Sequence, residues 1–172
     1  YGDSSGKKRV IDRNTLPSPS NFYGDSKLQA EMGIKRLEDD RFRIVILRPP
    51  MIYGKGSKGN YPKLAKAAQK LPIFPDFDNE RSMLHIDNFC EFFPQNKEYV
   101  KTSEMVRLIA EAHGKKIRLV KLFNPAIRIM IGRVRIVNKV FGNLVYEKVV
   151  SKYENIYQVK NLRDSIIATE KR

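Results

Sequence analysis

A phenol and an ammonium group lie four residues apart in the run Tyr23-Gly-Asp-Ser-Lys27. On an α-helix, residues with this spacing share a face about one turn apart. A nearby ammonium favours the ionised form of a phenol, so Tyr23 could exchange a proton with a substrate hydroxyl. The pair is therefore a candidate for acid/base chemistry, with an ordinary exposed helical pair as the alternative.

The elements around this pair predict an α/β protein. A helix is expected from about Phe22 to Glu38, capped by Ser20 or Asn21, with one apolar stripe formed by Ala30, Ile34 and Leu37. The run Arg43 to Leu47 is rich in β-branched residues and is stopped by Pro49-Pro50. It predicts a short strand that is buried on both faces of a parallel sheet.

Further helices and strands are predicted downstream, whereas residues 1–20 are predicted to form a loop. Proline in the first turn favours a helix over residues 62–71, and Gly114 ends a helix that begins at Thr102 or Ser103. A strand is predicted from Ile117 to Val120. A helical stripe interleaved with arginines follows, made of Ile127, Met130, Ile131, Val134, Val137 and Phe141. It indicates either packing within a small cap domain or a basic helix on a membrane surface.

Composition is typical of a soluble globular protein of one ordinary domain, with 172 residues, 41% apolar and 30% charged. No apolar run approaches the roughly 20 residues of a membrane span, and the polar start lacks a signal-peptide pattern, so a cytoplasmic location is expected. Cys90 has no partner for an internal disulfide, and with His85 and His113 it forms no metal-binding spacing. No metal is expected.

The net charge of +14 is concentrated in residues 115–148, which contain nine Lys or Arg and one acid, Glu147. An anionic partner is one explanation, and a solvated basic face is the other. No aromatic-basic RNA motif or helix-turn-helix pattern is found, so nucleic acid is not the expected partner. A phosphate-bearing small molecule and an anionic membrane surface both stay open.

Three ordered segments resemble signatures of the extended short-chain dehydrogenase/reductase family. They are Tyr23-Gly-Asp-Ser-Lys-Leu-Gln-Ala-Glu31, Leu47-Arg-Pro-Pro-Met-Ile-Tyr-Gly54 and Arg81-Ser-Met-Leu-His-Ile-Asp-Asn88. They match the patterns Y-x-x-x-K-x-x-x-E, L-R-P-x-x-x-Y-G and R-x-x-x-H-x-x-D/N. The likeness covers most of the chain and implies a nucleotide-sugar epimerase/dehydratase with a partial Rossmann-type parallel sheet.

The resemblance assigns expected roles to five residues. Tyr23 matches the catalytic acid/base, and Lys27 matches the lysine that binds the nicotinamide ribose. Pro49 matches a position whose backbone lines the nicotinamide pocket. Asn60 and Arg81 match residues that bind the nucleotide diphosphate, although Asn60 could equally be a plain turn residue. His85 is expected to be structural.

The activity that the resemblance implies is NAD-dependent 4-epimerisation of a nucleoside-diphosphate sugar, expected to be UDP-linked, through a 4-keto intermediate. NADP as cofactor, and dehydratase or reductase chemistry, stay open, and a non-enzymatic basic fragment is the opposing hypothesis. A homodimer is compatible with the resemblance. Residues 1–53 would be the end of the NAD-binding domain, and 54–172 mainly a small, mostly helical substrate domain, with about 82–100 returning to the sheet.

The chain also departs from the family pattern. The Gly-rich strand-turn-helix that holds the dinucleotide pyrophosphate is not identified, so residues 1–172 are expected to be inactive alone. Met51 stands where many family members have a substrate-contacting asparagine. Relative to the family pattern, a segment is expected to be missing between Phe92 and Phe93.

Overall fold

The computed structural model describes residues 9–91, 98–148 and 160–171. Its strands are β1 (Arg9–Ile11), β2 (Met51–Tyr53), β3 (Ile73–Pro75), β4 (Met83–His85), β5 (Arg118–Val120) and β6 (Leu144–Tyr146). Its helices are α1 (Phe22–Lys35), α2 (Tyr61–Lys70), α3 (Ile86–Glu91), α4 (Thr102–Ala112), α5 (Asn124–Met130), α6 (Arg135–Phe141) and α7 (Leu162–Glu170). Strands alternate with helices along much of the chain, which confirms the predicted α/β class.

The described strands form three parallel pairs, β1 with β6, β2 with β4, and β3 with β5. In the second pair, Met51 lies opposite Met83 and Tyr53 lies opposite His85. Parallel neighbours need a crossover connection, and helices supply much of it here. Helix α2 lies in the connection from β2 to β4, and α4 lies in the connection from β3 to β5.

The main core lies between α2, α4, α7 and the β2–β4 pair. Its largest members include Tyr53, Leu64, Met105, Ile109 and Ile166, which are all buried. Helices α2 and α4 confirm the predicted helices over residues 62–71 and 102–112. Gly114 has a φ of +68° just beyond α4, as a glycine that ends a helix usually does.

The predicted buried strand from Arg43 to Leu47 is wrong. Residues 42–49 form no regular element, and Val45 is 82% exposed. A strand that is buried on both faces needs a hydrogen-bonded neighbour on each side and cover above and below. None of the six described strands pairs with this run, so Val45 lies in solvent and Ile44 and Ile46 are only half-buried.

The prediction of a loop over residues 1–20 is wrong at Arg9–Ile11, which forms β1. This strand pairs in parallel with β6, with Val10 opposite Val145, and Ile11 is fully buried. The polar composition around these residues hides the strand, because its partner lies far along the chain. The expected gap between Phe92 and Phe93 lies outside the described residues.

Helix α1 confirms the predicted helix but not its buried face. Asn21 caps it, accepting a hydrogen bond from the backbone N–H of Gly24 at 3.0 Å. The less exposed positions are Gly24, Leu28 and Glu31. The predicted stripe of Ala30, Ile34 and Leu37 is exposed instead, because no described element packs against it.

The predicted C-terminal stripe folds as two seven-residue helices, α5 and α6. Gly132 separates them with a φ of +88°, a conformation that strains residues with a Cβ. Only Ile127 of α5 and Asn138 of α6 are fully buried. Within the described ranges, no helix combines the length and the apolar character needed to cross a membrane.

Candidate active site

Tyr23 and Lys27 lie side by side on the open face of α1. The Lys27 Nζ is 5.6 Å from the centroid of the Tyr23 ring, within the range of a cation–π contact. Tyr23 is 71% exposed, and Lys27 is exposed as well. The helix therefore presents a phenol and an ammonium together to any molecule that approaches this face.

A salt bridge joins α1 to the segment that leads into β2. The Arg48 Nε donates to Glu31 Oε2 at 2.9 Å, and Arg48 Nη2 donates to the other carboxylate oxygen. Both residues belong to the motifs identified in the sequence, yet their pairing was not predicted. Their opposite charges at the ends of two adjacent motifs were the available signal. The bridge fixes Pro49, which follows Arg48, relative to the helix that carries Tyr23.

The hydrogen bonds from Arg48 lower the pKa of Glu31. The salt bridge therefore makes its full contribution to stability at neutral pH, and this contribution is lost as the pH falls through the lowered pKa of Glu31. We expect Glu31→Gln to speed hydrogen exchange of the α1 amides about fivefold at neutral pH, equivalent to about 1 kcal/mol for a partly exposed bidentate pair. Amide exchange followed by mass spectrometry measures this.

Asp40→Asn is the matched control for Glu31→Gln. It removes a carboxylate from an ion pair with Arg43 whose side chains are 73% and 100% exposed. Such an exposed ion pair contributes little to stability, so the hydrogen exchange of the α1 amides should not change in this variant. Equal exchange in Glu31→Gln and wild type would show that the bridge does not hold α1.

Asn60 lies at the start of α2. Its side chain makes no capping hydrogen bond, and its carbonyl accepts from the N–H groups of Lys63 and Leu64, both at 3.1 Å. The amide of Asn60 is half-buried. It is therefore available for a ligand, but this position alone does not distinguish a ligand-binding asparagine from a turn residue.

The loop Gly54–Gly59 has the pattern G-x-G-x-x-G between a strand and a helix, which the sequence analysis missed. The pattern would hold a dinucleotide pyrophosphate if free N–H groups of the helix pointed at it. Pro62 has no N–H, and those of Lys63 and Leu64 already bond to Asn60. The loop therefore does not fit a pyrophosphate.

Gly54 has a packing role in this loop. A Cβ at this position would lie 2.5 Å from Ile86 Cγ2, which is too close for any side chain. Gly56 and Gly59 have φ angles of +73° and +108°. Close approach of β2 to α3 and two left-handed turn positions account for the glycines without a ligand.

A cavity of about 430 Å³ beside this loop is lined by another phenol, that of Tyr61, which unlike Tyr23 is buried. Tyr61 stacks on Tyr53 at 5.3 Å, and burial raises the pKa of its hydroxyl, with the Glu170 carboxylate adding to the effect. A phenol held neutral in this way is a poor base at neutral pH. Tyr61 therefore does not compete with Tyr23 as the proton-transfer residue.

Arg81 lies just before β4, between the core and the C-terminal helices. Its backbone forms two hydrogen bonds with Val100, at 3.1 and 2.8 Å, and its Nη1 donates to the carbonyl of Lys139. Burial lowers the pKa of the guanidinium. Among the described residues, one of its five N–H donors is thus used.

Two cavities lie beside the segment that leads to Arg81. One, of about 630 Å³, is lined by Asp78, Glu80, Tyr99, Lys101, Glu104, Asn143 and Leu162. The other, of about 410 Å³, is lined by Phe77, Asp78, Asn124, Arg128, Ile131 and Asn143. Three carboxylates disfavour a diphosphate in the first. In the second, the Asn124 Oδ1 is buried without a hydrogen-bond partner among the described residues, which favours a ligand that donates an N–H.

The predicted site residues are thus only partly brought together. Tyr23 and Lys27 touch, and the Glu31–Arg48 bridge ties Pro49 to their helix. Within residues 9–91, 98–148 and 160–171, no hydrogen bond, ion pair or ring contact joins Asn60 or Arg81 to Tyr23 or Lys27. His85 is buried, and its Nε2 lies 3.3 Å from Thr169 Oγ1, so it has the contacts of a structural residue.

Comparison with known proteins gives similar sequences and a similar fold. The chain is 31% identical over 100 residues to UDP-glucose 4-epimerase of Vibrio cholerae, covering 56% of the chain and 30% of that protein. It is 33% identical over 91 residues to an N-acetyl-alpha-D-glucosaminyl-diphospho-ditrans,octacis-undecaprenol 4-epimerase of Escherichia coli O157:H7, covering 49% of the chain and 27% of that protein. The chain thus spans less than a third of the length of these relatives.

A solved structure of UDP-glucuronic acid 4-epimerase from Bacillus cereus in complex with NAD superimposes with a TM-score of 0.65. The match covers 95% of the chain and 54% of the epimerase, at 18% identity. At this identity the likeness supports the fold alone, and it confirms the Rossmann-type α/β prediction. A model of the NAD dependent epimerase/dehydratase family matches residues 1–104. As the resemblance of its motifs predicted, the chain belongs to the NAD dependent epimerase/dehydratase family.

Proposed function

We propose that the protein is an NAD-dependent 4-epimerase of a nucleoside-diphosphate sugar. The observation that carries the proposal is the contact between Tyr23 and Lys27 on the exposed face of α1. The names of the relatives from Vibrio cholerae and Escherichia coli support 4-epimerisation over other reactions of the family. Because the chain spans part of these relatives, the proposal concerns the protein as its full reading frame encodes it.

In the proposed reaction, Tyr23 moves the proton. Its phenolate takes the proton of the C4 hydroxyl as hydride leaves C4, which gives the 4-keto sugar. The phenol then returns the proton after hydride is delivered to the opposite face of the ketone. The Lys27 ammonium lies over the Tyr23 ring, and it can donate a hydrogen bond to a ribose hydroxyl.

NAD, when bound, accepts the hydride and returns it. The chain's own contribution to that site is the face of α1 with Tyr23 and Lys27, and the backbone at Pro49, which the Glu31–Arg48 bridge holds near α1. The Gly54–Gly59 loop does not bind the pyrophosphate, because Pro62 has no N–H and those of Lys63 and Leu64 bond to Asn60. NADP would suit these residues equally well, since none of them reads the adenosine ribose.

The substrate diphosphate is proposed to bind near Arg81, with Asn60 as a second donor. A guanidinium offers paired donors to phosphate oxygens and keeps its charge at neutral pH. The 410 Å³ cavity would take the base, because the unpartnered Asn124 Oδ1 can accept an N–H and Arg128 is basic. A uracil ring has such an N–H, so a UDP-linked sugar is the proposed substrate. A homodimer is a further expectation.

Analysis of the reaction products separates the proposal from its alternatives. The purified protein, expressed from its full reading frame, is incubated with NAD and UDP-glucose or UDP-N-acetylglucosamine. The products are separated by chromatography, and their masses are measured by mass spectrometry. We expect the 4-epimer, at unchanged mass. Loss of one water would identify a dehydratase. In a parallel incubation with NADH in place of NAD, net consumption of the NADH would identify a reductase. No turnover, with binding of polyanions instead, would support the non-enzymatic alternative.

A further inference from the structure

The surface formed by α5, α6 and the residues flanking them is basic and apolar at once. We call residues 121–139 the α5–α6 surface. We propose that this surface binds peripherally to a bilayer that contains anionic phospholipids. The proposal goes beyond the sugar chemistry and does not depend on it.

The charge of the α5–α6 surface has one sign. Residues 121–139 contain five basic residues and no acidic residue. All five are exposed, namely Lys121, Arg128, Arg133, Arg135 and Lys139. None forms an ion pair with a carboxylate in the described part of the chain. Arg128 lines the 410 Å³ cavity proposed for the base, so the charges of the other four are the ones available to anionic headgroups.

Large apolar side chains are exposed among these cations. Leu122 is 82% exposed, and Ile129 and Ile136 are each 64% exposed. Phe123, Met130 and Val134 are also exposed. Single exposed apolar residues are common, but six of them within 19 residues form a patch that marks an interaction site.

The helix geometry turns both kinds of side chain outward. Ile127 is the buried residue of α5, and at about 100° per residue Ile129 lies on the opposite side of that helix. On α6 the buried residue is Asn138, whose Oδ1 accepts from Gly132 N at 2.7 Å and holds the turn between the helices. Ile136 and Lys139 lie about 60° apart on the outer side of α6.

This combination favours a membrane over other anionic partners. A nucleic acid would attract the arginines and lysines, but its phosphate backbone would leave the isoleucines in water. At a bilayer surface, the same isoleucines can enter the boundary between headgroups and acyl chains while the cations stay among the phosphates. Two short helices with isoleucine beside lysine or arginine suit that boundary.

Vesicle co-sedimentation of the protein expressed from its full reading frame tests the proposal. We expect binding to phosphatidylcholine vesicles that contain phosphatidylglycerol, and far weaker binding to pure phosphatidylcholine. Arg135→Gln with Lys139→Gln should weaken binding about 30-fold, at about 1 kcal/mol for each basic residue near the surface. Ile129→Ser with Ile136→Ser should weaken it too, including at high salt. Circular dichroism checks that both variants fold.

Controls distinguish the α5–α6 surface from the general positive charge. Lys63→Gln with Lys70→Gln removes two exposed charges from α2, and Leu16→Ser removes an 81% exposed apolar residue elsewhere. Both should bind vesicles like the wild type. The proposal is overturned if anionic vesicles do not bind the chain, or if the α2 variant weakens binding as much as the α6 variant.

Two further results would also overturn the proposal. If binding is indifferent to the Ile→Ser substitutions and is abolished by heparin, the surface is a site for polyanions. If these substitutions convert a dimer into a monomer, as judged by size-exclusion chromatography with light scattering, and the monomer still binds vesicles, the surface joins two copies of the chain.

Discussion

Replacing Tyr23 by phenylalanine is expected to lower kcat for 4-epimerisation by about 10² to 10⁴, the usual contribution of a positioned acid/base group. The substitution removes one hydroxyl from a side chain that is 71% exposed and makes no core contact, so the fold should be unaffected. KM for the sugar nucleotide should change little, because the hydroxyl is proposed to act in proton transfer. Steady-state kinetics on the protein from its full reading frame gives both constants.

Lysine substitutions on the same helix provide the matched comparison. Lys27→Met removes the ammonium that contacts the Tyr23 ring, whereas Lys35→Met removes an equally exposed ammonium from the last turn of α1. The first should reduce kcat, because the ammonium beside the Tyr23 ring and its proposed contact to the ribose are both lost. The second should leave kcat unchanged. A Tyr23→Phe variant with kcat within a factor of two of wild type would exclude the proposed role.

The helices were predictable because their signals are local. Asn21 as a cap, Pro62 in a first turn and Gly114 beyond a last turn each act within a few residues, and the structure has α1, α2 and α4 where these signals place them. The i, i+4 spacing of Tyr23 and Lys27 is equally local. The contact between the two side chains therefore follows from the sequence once the helix is recognised.

The strands could not be predicted from local composition. The Ile-Val-Ile-Leu run has strong β propensity but no described partner, whereas Arg9–Ile11 looks like loop and pairs with Leu144–Tyr146. β propensity expresses packing against neighbours, and neighbours far along the chain leave no trace in a short window. Whether a strand is buried therefore depends on the partner strands and helices that pack against it, and these are encoded elsewhere in the chain.

The same limit applies to the candidate site. Glu31 and Arg48 were identified as members of two motifs, but their salt bridge required the structure, because it joins side chains 17 positions apart. The G-x-G-x-x-G pattern at Gly54–Gly59 shows the reverse case. The pattern and its strand–loop–helix context are present, yet Pro62 and the hydrogen bonds to Asn60 remove the donors on which phosphate binding depends. A motif predicts chemistry only when its backbone groups are free.

Tyr53 is the other motif residue with a large expected effect, and that effect is on stability. It is fully buried at the end of β2, stacks on Tyr61 and packs edge-on against His85, with ring centroids 5.3 Å apart in both contacts. Its hydroxyl lies 2.6 Å from Ser165 Oγ. Ser165 donates its own proton to the Leu162 carbonyl, so Tyr53 is the donor. One side chain therefore connects β2 to α2, β4 and α7.

We expect Tyr53→Ala to lower the free energy of unfolding by about 3 to 5 kcal/mol, as for other large aromatic deletions in a core. Tyr53→Phe should lower the free energy of unfolding by only about 1 kcal/mol. Ser165 still donates its hydrogen bond to the Leu162 carbonyl and loses only the hydrogen bond that it accepts from Tyr53. Urea denaturation measures both, and Leu16→Ala, at an 81% exposed position, should change stability by less than about 0.5 kcal/mol. If the alanine variant were no less stable than the phenylalanine variant, the ring would not be a core contact. Because Pro49 leads directly into the strand that Tyr53 anchors, any loss of activity in these variants should follow the fraction unfolded, unlike the loss in Tyr23→Phe.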